Sequence, residues 1–212
     1  MGRIDKLYEK FNGSYFAFLG AGISLISIFI AIILYVAVDP NFTIMTHYIS
    51  DLGDGRNYSN VVFNISHIIM GIIFIFSFYY LSMFLRNKEA QFSTWYAFMG
   101  GFLYSLGLIL VGIFPSKMAY EIHIIGAAFV FFGMFFSYVF YGISEFKISE
   151  INKKLAILGF IFSPLPIIFM SFLLLHFTVG FPLKITLFIE WITYFTMLSW
   201  IIIHGIYTLN SK

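Results

Sequence analysis

The chain has 212 residues, of which 60% are hydrophobic and only 10% are charged. A globular domain of this size leaves much of its surface in water, so one soluble core cannot bury that much apolar side chain. The net charge of +2 is small and the basic residues are scattered, which excludes a patch that neutralises several phosphates of a nucleic acid. Without cysteine, the chain has no disulfide and no thiolate metal ligand. The composition predicts an integral membrane protein with no nucleic-acid partner.

Six apolar segments follow one another along the chain, and each exceeds the roughly 20 residues that cross the hydrocarbon core. The first is about 24 residues long and lacks a small-residue cleavage site, so we expect a retained span. Segment five contains Pro164 and Pro166, which remove backbone hydrogen bonds, so we expect a kink there. The sequence predicts an all-α bundle of six transmembrane helices in one domain. The spans are predicted at about 15–38, 60–85, 94–114, 120–146, 153–177 and 184–209, with an outer loop at 39–59.

The basic residues predict the orientation of the bundle, because short cytoplasmic loops retain lysine and arginine. Nine basic residues fall on the side of the two termini and three on the other side. The nine are Arg3, Lys6, Lys10, Arg86, Lys88, Lys147, Lys153, Lys154 and Lys212, and the three are Arg56, Lys117 and Lys184. We therefore expect both termini in the cytoplasm, the 39–59 loop outside, and the protein in the cell membrane.

Polar side chains concentrate at the outer ends of the predicted spans. Asn60, Asn64, His67 and Gly71 recur at helical spacing on segment two, and this stripe should not face lipid. A charged Glu190 facing lipid would cost about 2.5 to 3.5 kcal/mol near the bilayer centre, so we expect it inside the bundle with a partner. The candidate polar pocket takes residues from the loop and from segments two, four and six: Ser50, Asp51, Asn64, His67, His123 and Glu190.

Histidine and carboxylate are the ligands that a divalent metal can take in a chain without cysteine. The candidate ligands are His67, His123 and Glu190, and such a metal would activate water against a lipid or small substrate. No H-x-x-x-H or H-E-x-x-H spacing is present. The alternative interpretations are interior polar groups that satisfy one another, or a metal-free site that binds a ligand or handles protons. We expect His204, near the cytoplasmic end of segment six, to be solvated and outside the site.

The outer loop has the residue types of a side-chain-capped turn. In the run from Ser50 to Gly53, SDLG, serine or aspartate can accept from nearby backbone N–H groups, and glycine can take a positive φ. One interpretation is that Asp51 and Arg56 form an ion pair that holds the loop down as a lid, with no reaction at all.

These elements resemble the membrane family catalogued as domain of unknown function 998. The likeness covers nearly the whole chain and implies a six-span integral membrane protein, found widely in archaea and bacteria, with no established activity. The similar elements are YISDLG at 48–53 after a first span ending in DP at 39–40, FN at 63–64, Gly71, FP at 114–115 and HIIGA at 123–127.

A more distant similarity links the loop to the eukaryotic Frag1, DRAM and Sfk1 group, in which an I-S-D-T-G element joins the first two spans. Ile49, Ser50, Asp51 and Gly53 match that element, whereas Leu52 stands in place of its threonine. The proline and glutamate that follow in that group are not matched. Because those proteins are associated with lipid and membrane homeostasis, the similarity implies a lipid-related role.

Three functions follow from this pattern. The favoured one is a non-catalytic membrane protein that binds or organises lipid through an outer polar pocket capped by the first loop. The second is a metal-assisted hydrolase or transferase that acts on lipid at the outer leaflet. The third is a small proton-coupled transporter that uses Glu190 and His67, which requires a water-accessible path to His204.

Overall fold

The structure, a computed structural model, describes Tyr8 and residues 11–88 and 91–211, without the side chains of residues 91 and 92. Arg3, Lys6, Lys10 and Lys212, which entered the charge count above, lie outside the described residues. Within the described part, the helices with defined bounds are α1 Ser14–Val36, α2 Ser59–Arg86, α3 Gln91–Ile113, α4 Tyr120–Lys147, α5 Lys153–Phe162, α6 Pro164–Val179 and α7 Leu183–Asn210.

Six helical stretches are long and apolar enough to cross a membrane, which confirms the predicted all-α architecture with six spans. Helices α1, α2, α4 and α7 each form one span, the third span is Ser93–Ile113 within α3, and the fifth, Lys153–Val179, combines α5 and α6. Helix α1 packs against α2 and α7, α3 lies between α2 and α4, and α6 packs against α4 and α7. The polar ends of α2, α4 and α7 are thereby gathered at one end of the bundle.

The fifth span is interrupted at Ser163, as its prolines predict. Pro164 has no N–H to donate to the carbonyl of Phe160, and the hydroxyl of Ser163 donates to that carbonyl instead over 3.0 Å. This span is also the least buried of the six, since 22% of its most apolar stretch is buried, against 39–56% in the others. Helix α6 is therefore peripheral and directs most of its surface toward lipid.

Helices α3 and α4 approach each other at glycines. A Cβ atom at Gly107 would lie 2.6 Å from the carbonyl oxygen of Gly126, and one at Gly133 would lie 2.7 Å from that of Gly100. Small residues at such crossings allow close van der Waals packing in lipid. The middle of the bundle is filled by fully buried large side chains: Trp200, Tyr104, Tyr138, Tyr141 and Phe74.

Candidate functional site

The outer loop is a packed cap. Its centre is a short 3₁₀ helix, Ile49–Asp54, in which the carboxylate of Asp51 accepts a hydrogen bond from the backbone N–H of Tyr48 over 2.8 Å. This is the side-chain-capped turn that the sequence predicts. Leu52 is fully buried beneath it, and Gly53 is also buried. We call residues 39–58 the outer cap.

Helices distant in sequence hold the outer cap in place. The side-chain amide of Asn64 on α2 donates to the carbonyl of Gly53 over 3.0 Å, and the indole N–H of Trp191 on α7 donates to the carbonyl of His47 over 3.1 Å. Gly53 has no room for a side chain, because a Cβ atom there would lie 2.5 Å from Oδ1 of Asn64. The glycine of the SDLG run is thus required for close packing on α2, and its φ is not positive.

Asp54 ties the outer cap to the turn between α3 and α4. Its carboxylate accepts from the hydroxyl of Ser116 and from the backbone N–H of Lys117, the latter over 3.0 Å. The predicted ion pair between Asp51 and Arg56 is wrong, because Asp51 is committed to the backbone of the turn and the Arg56 side chain is exposed to solvent. Asp54, and not Asp51, supplies the carboxylate that anchors the outer cap to this turn.

Glu190 on α7 joins the outer cap to the bundle interior. It is only 5% exposed, and its Oε2 accepts a hydrogen bond from the backbone N–H of Ile49 over 3.0 Å. Its other oxygen makes no hydrogen bond with a described residue. Tyr194, Met197 and Ile201 on the same helix face are also buried, so the stripe noted in the sequence faces protein. Glu190 has the interior position and the partner that the cost of a charge in lipid requires.

His67 and His123 have the same hydrogen-bonding arrangement. Nδ1 of His67 lies 2.8 Å from the carbonyl oxygen of Phe63, and Nδ1 of His123 lies 2.9 Å from that of Phe114. A carbonyl oxygen only accepts, so each Nδ1 carries the proton and donates. In the neutral imidazole, Nε2 is then an acceptor, and in neither ring does it bond to a described residue. Both rings are buried, at 2% and 4% exposure.

Two adjoining cavities lie beneath the outer cap, with volumes of about 50 Å³ and about 180 Å³. His67 lines the smaller one and Asp51 lines the larger one. We call the two together the outer cleft. They share the lining residues Ser50, His123, Ala127, Phe131 and Glu190. Five of the six residues of the predicted polar pocket line at least one of these cavities, and Asn64 lines neither.

The three candidate metal ligands do not form a metal centre. His67, His123 and Glu190 all line the smaller cavity. Even so, across residues 8, 11–88 and 91–211 no three histidine, aspartate or glutamate side chains are grouped so that they could hold a metal ion. Their hydrogen bonds explain this. Oε2 of Glu190 accepts from the N–H of Ile49, and Nδ1 of each histidine donates to a backbone carbonyl.

The outer cleft is amphipathic and reaches the protein surface between α4 and α6. Phe169 and Leu173 form an apolar wall on α6. Tyr120 and Phe177 at the rim are 52% and 62% exposed. Burial raises the pKa of the Asp51 carboxyl above its usual range, although the N–H of Tyr48 offsets part of that effect.

A second buried polar cluster lies at the opposite end of the bundle. Nε2 of His204 on α7 is 2.8 Å from Oε1 of Glu145 on α4, and the two residues are 3% and 1% exposed. The expectation that His204 is solvated is therefore wrong. Its position one turn from a helix end suggested exposure, but α4 extends to Lys147 and covers it. Buried Ser137, Tyr141 and Glu145 recur along one face of α4, and this was the sequence signal for the cluster.

The geometry of this inner pair requires a shared proton. Nδ1 of His204 lies 2.8 Å from the carbonyl oxygen of Trp200 and must donate to it, which leaves Nε2 facing Glu145 as an acceptor in the neutral ring. Two acceptors cannot bond, so either the ring or the carboxyl carries an additional proton. Among the described residues, Oε2 of Glu145 has no hydrogen-bond partner.

Among the described residues, none lines both the outer cleft and the cavity beside His204. On α7, Met197 lines the outer cleft and His204 lines the inner cavity, and Trp200 lies between them, 1% exposed. The ring of Trp200 packs on that of His204 with centroids 3.8 Å apart, and on Tyr138 at 5.5 Å. A packed aromatic layer therefore separates the two polar regions in this conformation.

Comparison with known proteins gives the family. Searches among curated proteins and among solved structures found no match, so the distant similarity to the Frag1, DRAM and Sfk1 group stays a prediction. A family model described as "Protein of unknown function (DUF998)" matches residues 18–207, a range that holds the outer cap and most of all six spans. With that match and its six apolar helices, the chain belongs to the DUF998 family of multi-pass membrane proteins.

Proposed function

We propose that the protein binds a membrane lipid in the outer cleft without catalysing a reaction, and that the outer cap covers the lipid headgroup. The single observation that carries this proposal is the amphipathic lining of the larger cavity. Phe169 and Leu173 on α6 offer an apolar wall, and Asp51, His123 and Glu190 offer a polar end beneath the cap. Small-molecule sites are concave and mostly apolar with a few placed polar groups, and this lining follows that pattern.

The position of the outer cleft supports an occupant from the bilayer. Its rim lies between α4 and the peripheral helix α6, where Tyr120 and Phe177 are exposed on apolar spans. An acyl chain could lie along α6 while the headgroup enters under the outer cap. Binding is favoured over metal-assisted hydrolysis because the described residues offer no group of three ligands for a metal ion.

We further propose that the protein lies in the cell membrane with both termini in the cytoplasm, which puts the outer cleft in the outer leaflet. The excess of lysine and arginine on the side of the termini supports this orientation. A reporter that works only in the cytoplasm, fused to Lys212, should be active. An inactive fusion would overturn the orientation without touching the lipid-binding proposal.

A pair of tryptophan substitutions tests lipid binding. Leu173 lines the cleft, whereas the next residue, Leu174, is 64% exposed on the lipid-facing side of α6. Leu173→Trp should fill the cleft, and Leu174→Trp should leave it open. Native mass spectrometry of purified protein should detect bound lipid in the wild type and in Leu174→Trp, and much less in Leu173→Trp. Equal lipid retention in the two variants would contradict the proposal.

A further inference from the structure

We propose that the outer cleft selects lipids whose headgroup ends in a primary ammonium, as in a phosphatidylethanolamine, over lipids with a quaternary ammonium or an anionic headgroup. This inference rests on the proposed lipid binding and adds to it the chemical class of the headgroup. It follows from the polar atoms that the cleft leaves available beneath the outer cap.

Two carboxyl groups line the cleft. Asp51 and Glu190 both line the larger cavity, and no lysine or arginine from the described part of the chain is among its lining residues. Asp51 is held at the N–H of Tyr48 and Glu190 at the N–H of Ile49, so both carboxyl groups are fixed at the start of the 3₁₀ helix. An ammonium headgroup pairs with the ionised form of either carboxyl group, whereas an anionic headgroup is repelled by it.

The polar atoms that remain unpaired in the cleft are mainly acceptors. Glu190, 5% exposed, bonds through one oxygen only, and Nε2 of His67 and of His123 make no hydrogen bond with described residues. All three side chains line the smaller cavity. In the cavity these atoms can accept hydrogen bonds from a ligand. A ligand that brings N–H donors would therefore satisfy groups that the protein itself leaves open.

A primary ammonium fits these acceptors, because it carries one positive charge and three N–H donors in a compact group. A quaternary ammonium has the same charge but no N–H to donate. Tyr48 also lines the larger cavity, and its hydroxyl, which has no hydrogen-bond partner among the described residues, would donate to a phosphodiester oxygen. The cleft thus offers complementary groups for both parts of a zwitterionic headgroup that ends in a primary amine.

The test uses the full-length protein in nanodiscs that contain equal amounts of phosphatidylethanolamine, phosphatidylcholine and phosphatidylglycerol with identical acyl chains. The protein is then extracted into mild detergent, and retained lipids are counted by native mass spectrometry. Because charge-assisted hydrogen bonds distinguish the first two headgroups, we expect phosphatidylethanolamine to be retained about tenfold over phosphatidylcholine. Retention of phosphatidylglycerol should be lower still.

Isosteric variants assign the preference to the cleft. Glu190→Gln keeps an oxygen for the N–H of Ile49 but removes the ionisable group and an acceptor, so it should reduce the preference about tenfold. Asp51→Asn is a second variant in case the first does not fold. Glu121→Gln is the matched control, since Glu121 begins α4 on the same side but is exposed and outside the lining of the cleft.

The outcomes separate this inference from the function on which it rests. Equal retention of the three lipids in the wild type, with loss of all of them in Leu173→Trp, would keep lipid binding and overturn the headgroup selection. A preference that survives both Glu190→Gln and Asp51→Asn would also overturn it. Retention that is the same in wild type and Leu173→Trp would overturn lipid binding and the headgroup selection together.

Discussion

The two ends of the bundle each bury glutamate and histidine, but they treat them in opposite ways. At the inner end, Glu145 and His204 bond to each other over 2.8 Å. At the outer end, Glu190 bonds to the backbone of the outer cap, and His67 and His123 each bond to a carbonyl, so each leaves a polar atom facing a cavity. Glu145 keeps one oxygen open, but it does not line the inner cavity, so this pair supports the fold. The open atoms beside the outer cleft instead mark a place for a ligand.

The largest effect that would test this contrast is expected at the inner pair. His204→Ala removes a buried ring that packs on Trp200 and leaves the Glu145 carboxyl without its hydrogen-bond partner, so it should lower the free energy of unfolding by about 3–5 kcal/mol. Thermal or denaturant unfolding in detergent measures the change. Glu145→Gln should cost only about 1 kcal/mol, because the amide N–H can donate to Nε2 of the neutral His204 ring and keep the hydrogen bond. Equal costs for the two variants would instead indicate an ion pair.

An intermediate effect is expected where the outer cap packs on α2. Gly53→Ala places a methyl group 2.5 Å from Oδ1 of Asn64 and 2.9 Å from the ring of Phe63, and such overpacking costs about 1–3 kcal/mol. It should also weaken lipid retention, because the cap carries Asp51. The control is Gly22→Ala, at a position where a Cβ atom meets nothing within 4 Å. If both glycine variants behaved alike, the close packing of the cap would be contradicted.

The smallest effect concerns the pH dependence of the outer cap. Burial raises the pKa of Asp51 above its usual 3.8, so the folded protein holds this proton to higher pH than the unfolded chain does. The stability that Asp51 contributes is therefore complete below the unfolded pKa and is lost as pH rises through the folded one. The unfolding midpoint of wild type relative to Asp51→Asn should fall from acid to neutral pH. A constant difference would show that Asp51 is not buried in this way.

Hydrophobicity made the architecture predictable, because a membrane span is a local property of some 20 residues. The interior positions of His67 and Glu190 were predictable for the same reason, since helical spacing and the cost of charge in lipid act within one helix. The partner of Glu190 was not predictable, because Ile49 and Glu190 are 141 residues apart and a single sequence carries no sign of their contact.

The two wrong predictions have a common cause. Asp51 and Arg56 are close in sequence, and His204 is close to a helix end, so both predictions used local distance. In the structure, the Asp51 carboxylate accepts a hydrogen bond from the backbone of its own turn. His204 is covered by α4, whose Glu145 lies 59 residues earlier in the chain. Tertiary packing decided both cases.

The contacts of the outer cap have a consequence for biosynthesis. The cap follows the first span and leaves the ribosome early, yet two of its partners, Glu190 and Trp191, lie on the last span, 141 and 144 residues from the cap atoms they bind. Until α7 enters the bilayer, the N–H of Ile49 and the carbonyl of His47 lack these partners. The outer cap therefore reaches its final form only after α7 has been inserted, and its closure reports that insertion.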